Sequence, residues 1–157
     1  MTRVPLIIRS PMALAGSQVS DVVETIDLMP TLLELVGAPV PEQAQGRSTV
    51  PLMRGGSLEP KSAFSESRFF GRQRAVTGPT ERMIFSQDSG RLELYQYRRD
   101  IEEQEDLASR DPNAVSGFKS ELSDWFDLVK SSEVTASDYG ELDPEVEEQL
   151  RALGYLD

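Results

Sequence analysis

Residues 62–96 read SAFSESRFFGRQRAVTGPTERMIFSQDSGRLELYQ, and the punctuation of this stretch decides the fold. Four short pieces, 62–66, 73–77, 82–86 and 92–96, alternate with turn-forming residues, among them Gly78-Pro79 and Gln87-Asp88-Ser89-Gly90. Runs of this length, rich in β-branched and aromatic residues and bounded by Gly, Pro, Asp and Ser, read as strands joined by tight turns. Strands joined so briefly pair as antiparallel neighbours. The stretch predicts a small four-stranded antiparallel sheet.

Downstream, an acidic run at 100–106 leads into Asp111-Pro112, which opens a helix. Val115, Phe118, Leu122, Trp125 and Val129 fall on one stripe of that helix, which is expected to cover one face of the sheet. Residues 130–142 are polar and read as a linker. Asp143-Pro144 then caps a last helix carrying Val146, Leu150 and Leu153, with Gly154 as its stop.

Upstream, residues 38–61 hold prolines at 39, 41, 51 and 60 and glycines at 46, 55 and 56. They predict a long irregular connection with one turn near 50–53. Before it, Asp27 as N-cap, Pro30 in the first turn and Leu28, Leu32, Leu35 and Val36 in helical register predict a short helix, ended by Gly37 and Pro39. Residues 3–11, RVPLIIRSP, read as a buried strand ended by Pro11. The fold class is α+β, with a four-stranded antiparallel sheet packed by a C-terminal helix and preceded by a strand-helix segment. The units are residues 1–60, 61–130 and 131–157.

The 157 residues carry 16 basic and 27 acidic side chains, a net charge of −11. Such a surface repels phosphate backbones and anionic headgroups, so nucleic acid and membrane surfaces are poor partners. No apolar run approaches the ~18–20 residues of a membrane span. The first residues also lack a secretory cleavage pattern. There is no Cys and no His. That removes disulfides, thiolate chemistry, His-ligated zinc and the Ser-His-Asp triad together.

Few remaining motifs suggest chemistry. The acidic run at 100–106 offers carboxylates to a hard cation, but it lacks the alternating ligands and turn glycine of a calcium loop and reads as a solvated face. Ser65-Glu66-Ser67 sets hydroxyls beside a carboxylate without the base a serine nucleophile needs. Asp27 is explained as a helix cap rather than a metal ligand, and Trp125 as core rather than a stacking platform. Gly55-Gly56 lacks the spacing of a phosphate loop. The aromatic-basic loop Arg68-Phe69-Phe70-Gly71-Arg72 stands out in an otherwise acidic chain, and Arg68 and Arg72 are the candidate substrate-binding residues. The competing reading is a loop packed on another domain.

Several segments together resemble the C-terminal portion of sulfatases in the alkaline phosphatase superfamily. RVPLIIRSP is similar to the strand that follows the active-site metal ligands in those enzymes. VETIDLMPTLLELVGAPVP resembles their strand-helix segment ending in Gly-Ala-Pro, and QGRSTVPLMRGG their Gly-x-Ser turn with a Pro-Leu pair. LELYQYRRDIEEQEDLA is similar to a Leu-Tyr strand running into an acidic turn, with Gln96 where Asp is usual and Asp106 where Asn is usual. LRALGYLD resembles the tail of many bacterial members.

The resemblance implies that residues 1–60 are the end of the large α/β sulfatase domain, and that the intact enzyme hydrolyses a sulfate ester using calcium and a formylglycine made from Cys or Ser in a C/S-x-P-x-R motif. Those residues lie upstream of RVPLII in the family, so this chain alone is expected to lack the nucleophile and metal ligands and to partner an N-terminal sulfatase domain. The nearest local match, Thr77-Gly78-Pro79-Thr80-Glu81-Arg82, fails twice: threonine cannot give formylglycine, and Arg82 is one position late. Family members are often exported or periplasmic, and the compartment stays open. So do two other classes, a phosphoesterase or phosphonate hydrolase fragment of the same superfamily and a noncatalytic interaction module.

Overall fold

A computed structural model describes residues 4–9, 18–67 and 71–131, together with Gln149 and Arg151. Four strands, β1 (Ala63–Ser67), β2 (Gln73–Thr77), β3 (Arg82–Ser86) and β4 (Arg91–Tyr95), form one sheet in the order β1-β2-β3-β4. Every neighbouring pair is antiparallel. β2 and β3 have the bounds their sequence predicts. β1 begins and ends one residue later than expected, and β4 one residue earlier, because Gln87–Gly90 alone makes the turn and pairing resumes at Arg91.

Register places Phe64, Val76, Met83 and Leu94 in one row across all four strands. Val76, Met83 and Leu94 are fully buried, so this row is the spine of the core face. Alternation along each strand keeps that face apolar near its middle. Farther along the same face, Glu66 and Arg74 stand opposite each other and pair at 3.8 Å. At one end of the sheet, Arg82 lies opposite Thr77, and its Nε donates to the Thr77 hydroxyl at 3.0 Å. Arg82 also stacks 4.9 Å from the centre of the Tyr97 ring and pairs with Glu103 at 2.5 Å.

The two outer strands meet carboxylates rather than further strands. The Phe64 N–H of β1 donates to Glu24 at 3.0 Å, and the Leu94 N–H of β4 donates to Asp106 at 3.1 Å. Leu107 N–H then bonds the Leu94 carbonyl at 2.8 Å, which continues the cover over β4.

The chain divides into two compact units, Met1–Leu122 and Ser123–Asp157, and the division falls within helix α3 (Pro112–Ser131). Asp111 caps that helix through the Ala114 N–H at 2.9 Å, as the Asp-Pro signal predicts. In the first unit Val115 and Leu122 are buried, and the Phe118 ring sits where a side chain on Gly78, just after β2, would meet it at 3.2 Å. In the second unit Trp125 and Phe126 stack edge to face at 5.4 Å, while Leu128 and Val129 are exposed. The predicted stripe is therefore buried in its first half, and Val129 departs from it. The expected linker after α3 and the last helix lie outside the described residues, apart from helical Gln149 and Arg151.

Two short helices precede the sheet. A 3-10 turn, Thr25–Asp27, runs directly into α1 (Leu28–Leu35), and α2 (Val50–Met53) forms where one turn is predicted. The strand expected at 3–11 is absent from its described part: residues 4–9 have no regular structure, and Val4, Leu6 and Ile7 are exposed. A strand needs a partner for its N–H and C=O groups, and among the described residues none pairs with this segment.

Met83→Ala removes the centre of the buried row and is expected to cost roughly 2–5 kcal/mol. A lower urea midpoint with an unchanged denaturant slope checks it.

Candidate functional site

Asp27 occupies the N-cap position of α1, but its side chain makes no cap bond there. This corrects the expectation of an N-cap: Asp27 instead takes the third position of a capping box opened by Glu24. Its backbone already lies in the helical region, because the 3-10 turn carries the helix start back to Thr25. The carboxylate is fully buried and serves three other partners. Oδ2 accepts from the Glu24 N–H at 3.0 Å, and Oδ1 accepts from the Arg47 N–H and the Lys61 ammonium, each at 2.9 Å. Lys61 also pairs with Glu24 at 2.8 Å.

Gly46 makes this convergence possible. A Cβ there would lie 2.0 Å from the Ile26 carbonyl oxygen, so only glycine lets the 46–47 backbone reach Asp27. Thr31 adds a second tie: its hydroxyl donates to the Asp27 carbonyl at 2.5 Å and accepts from the Thr49 N–H at 2.9 Å.

Burial would push the Asp27 carboxyl up, but the Arg47 N–H, Lys61 and the Glu24 N–H outweigh it and hold it below the usual carboxylate value. Burial would likewise lower Lys61, but Glu24 and Asp27 raise it above the usual lysine value. These groups lock one another in their charged forms. Such a lock is structural, because neither charge is free to move a proton near neutral pH.

The other candidates also resolve into structure. In the acidic run, Asp100 accepts the backbone N–H groups of Gln104 at 3.0 Å and Glu105 at 2.8 Å, bonds that lower its pKa. This loop turns through Glu103, whose φ is +54°. Burial raises the Tyr95 phenol, helped by its bond to Glu93 at 2.7 Å, so it stays protonated. Among the described residues no group of three or more Asp and Glu side chains could hold a metal ion. Thr77 and Arg82 of the near-miss nucleophile motif bond each other across two strands. Among the described residues no side-chain group fits calcium, and no catalytic step is assigned to them.

Arg68 lies outside the described residues, as do Phe69 and Phe70. Arg72 is described and is not alone: its backbone N–H donates to Asp88 Oδ2 at 3.0 Å and its Nε to Asp88 Oδ1 at 3.2 Å. The two turns are stapled further by the Gln87 N–H on the Arg72 carbonyl at 2.8 Å. Gly71, Arg72, Gln73, Ser86, Asp88 and Ser89 line an open hollow of about 230 Å³. Gln73 and Ser86, opposite each other in β2 and β3, give it an amide and a hydroxyl. The composition of the loop points to Arg72, but not to Asp88, sixteen residues on, which is fixed by the register of β2 on β3.

The family model for the C-terminal part of N-sulphoglucosamine sulphohydrolase matches residues 1–126. The chain belongs to this sulfatase family. An N-acetylglucosamine-6-O-sulfatase of Bacteroides thetaiotaomicron is 30% identical over 157 residues, covering 94% of this chain and 27% of that protein. Arylsulfatase K of Homo sapiens is 45% identical over 49 residues, covering 31% of this chain and 9% of that protein. A sulfatase structure solved with its substrate D-glucosamine-2-N,6-O-disulfate superposes with a TM-score of 0.69 at 22% identity, covering 81% of this chain and 28% of that one, a likeness of fold. The chain thus spans about a quarter of the Bacteroides enzyme and about a tenth of arylsulfatase K. The expected sulfatase C-terminal sheet and helix are present, and among the described residues no helix is long and apolar enough to cross a membrane.

The linked pH dependence follows from the Asp27 lock. A carboxyl held low in the fold contributes stability that is full above its unfolded value, near 3.9, and is lost as pH falls through the folded value. Lys61, held high, contributes stability that is full below its unfolded value and is lost as pH rises through the folded one. Asp27→Asn is expected to cost roughly 1–3 kcal/mol near neutrality and to flatten the fall in urea midpoint as pH drops below about 4. Equal acid losses in both proteins would remove Asp27 from that role.

Proposed function

We propose that this chain is the supporting C-terminal part of a sulfatase whose intact form hydrolyses the sulfate ester of a sulfated amino sugar. The nucleophile and calcium ligands come from an N-terminal sulfatase domain, and the chain alone is inactive. The observation that carries this is the family match across residues 1–126, joined to side chains that are committed to internal bonds rather than to an acid-base or metal constellation. The amino-sugar part follows the Bacteroides relative, which is matched along 94% of this chain.

The domain boundary proposed near residue 60 and the N-terminal partner draw on the exposed apolar side chains upstream of the sheet. Val4, Leu6, Ile7, Ile26, Met29, Leu32 and Val36 are all exposed. Large apolar side chains left exposed in such number suit a region that meets other protein. An interaction module without catalysis would show the same surface, but the family match favours the sulfatase reading. Arg72, and Arg68 in the same basic stretch of the sequence, are proposed to shape the substrate cleft.

Hydrolysis of a chromogenic aryl sulfate, with calcium added, tests the reading on the 157-residue chain and on a form extended upstream. Turnover is expected from the extended form alone. Turnover by the shorter chain would show that carboxylates assigned here to structure do chemistry.

A further inference from the structure

The hollow at the β2–β3 end of the sheet pairs opposite charges at its rim. Asp88 meets the Arg72 guanidinium through Nε only, and among the described residues the two terminal guanidinium nitrogens make no hydrogen bond. Arg72 and Asp88 are 60% and 54% exposed, so both still face solvent. Gly71 lies close against Asp88: its φ is +88°, and a Cβ there would press on Asp88 Oδ2 at 3.0 Å. The Ser86 and Ser89 hydroxyls and the Gln73 amide complete the lining, so among the described residues the side chains bordering the hollow are polar.

We propose that this hollow binds a single neutral sugar ring through its hydroxyls, with the Arg72 guanidinium donating to them and the Asp88 carboxylate accepting from them. The proposal rests on the reading of Arg72 as a substrate contact, and it names the part of the substrate that Arg72 meets. A sulfate group here would be drawn by Arg72 and repelled by Asp88 at similar range, while losing its hydration. The −11 charge of the chain adds to that repulsion. A hydroxyl is both donor and acceptor, so adjacent ring hydroxyls satisfy both members of the pair at once.

Size points the same way. At about 230 Å³ the hollow is smaller than the roughly 300–1,000 Å³ of pockets that enclose drug-sized ligands. One pyranose ring suits it, and a longer saccharide would project outward. The Arg72 N–H and guanidinium also hold the Asp88 carboxyl below its usual value, so the acceptor remains ionised across the neutral range.

Amide chemical shifts of the full 157-residue chain, titrated separately with N-acetylglucosamine and with sodium sulfate, test this. N-acetylglucosamine is expected to move the Gly71, Arg72, Asp88 and Ser89 resonances, with sulfate leaving them in place. Asp88→Asn should weaken that binding at least about tenfold, with resonances elsewhere unchanged as the check on folding, while Glu105→Gln should leave it intact. Response to sulfate alone would overturn the sugar assignment and keep Arg72 as an anion contact. Silence toward both ligands would remove the site and the Arg72 contact together. Equal sugar binding by the Asp88→Asn variant would also overturn the assignment. None of these outcomes bears on the aryl sulfate assay, which judges the sulfatase reading separately.

Discussion

The described segments between Glu24 and Lys61 depend on one buried carboxylate. An ionised group taken out of water costs several kcal/mol unless other groups replace its hydration. Asp27 finds those groups in three places that are far apart in the chain: the Glu24 N–H, the Arg47 N–H and the Lys61 ammonium. Each bond fixes a segment with little regular structure of its own. The 38–61 connection, whose proline and glycine content prevents long helices or strands, is therefore ordered by side chain-to-backbone bonds. Thr31 and Thr49 repeat the device one helical turn farther along.

The sulfatase relatives give this arrangement a setting. The buried Met83 row holds the sheet, the Asp27 lock holds the approach to it, and Val4, Leu6, Ile7, Ile26, Met29, Leu32 and Val36 are exposed. A domain built to stand alone would turn more of those side chains inward, since exposed apolar groups gain nothing from water. A domain completing a larger enzyme has reason to leave them at its surface.

Legibility in the sequence followed the range of the interactions involved. β2 and β3 could be read to the residue because strand alternation and turn residues are local signals. The Asp111-Pro112 helix start was equally plain. By contrast, the 3–11 segment has the composition of a buried strand, but composition cannot supply the neighbour that would pair with it. Asp27 was misread for a related reason: an Asp before Leu-Met-Pro is a sound local cap signal, and its real partners, Arg47 and Lys61, are 20 and 34 residues away. In the candidate site, the exposed basic loop was legible at Arg72. Asp88, which alters the chemistry Arg72 can offer, was not, because only the pairing of β2 with β3 brings the two turns together.

The carboxylate over β1 belongs to two systems at once. Glu24 accepts the outward Phe64 N–H and also pairs with Lys61, which in turn holds Asp27. An unpaired strand edge is the usual template on which foreign strands add and aggregates grow. Here a foreign strand seeking the Phe64 N–H must first displace Glu24, and doing so disturbs the ion pair that supports the buried carboxylate. Resistance to edge-on aggregation along β1 and integrity of the upstream fold are thus one property, so a change that loosens the lock would also expose the sheet to self-association.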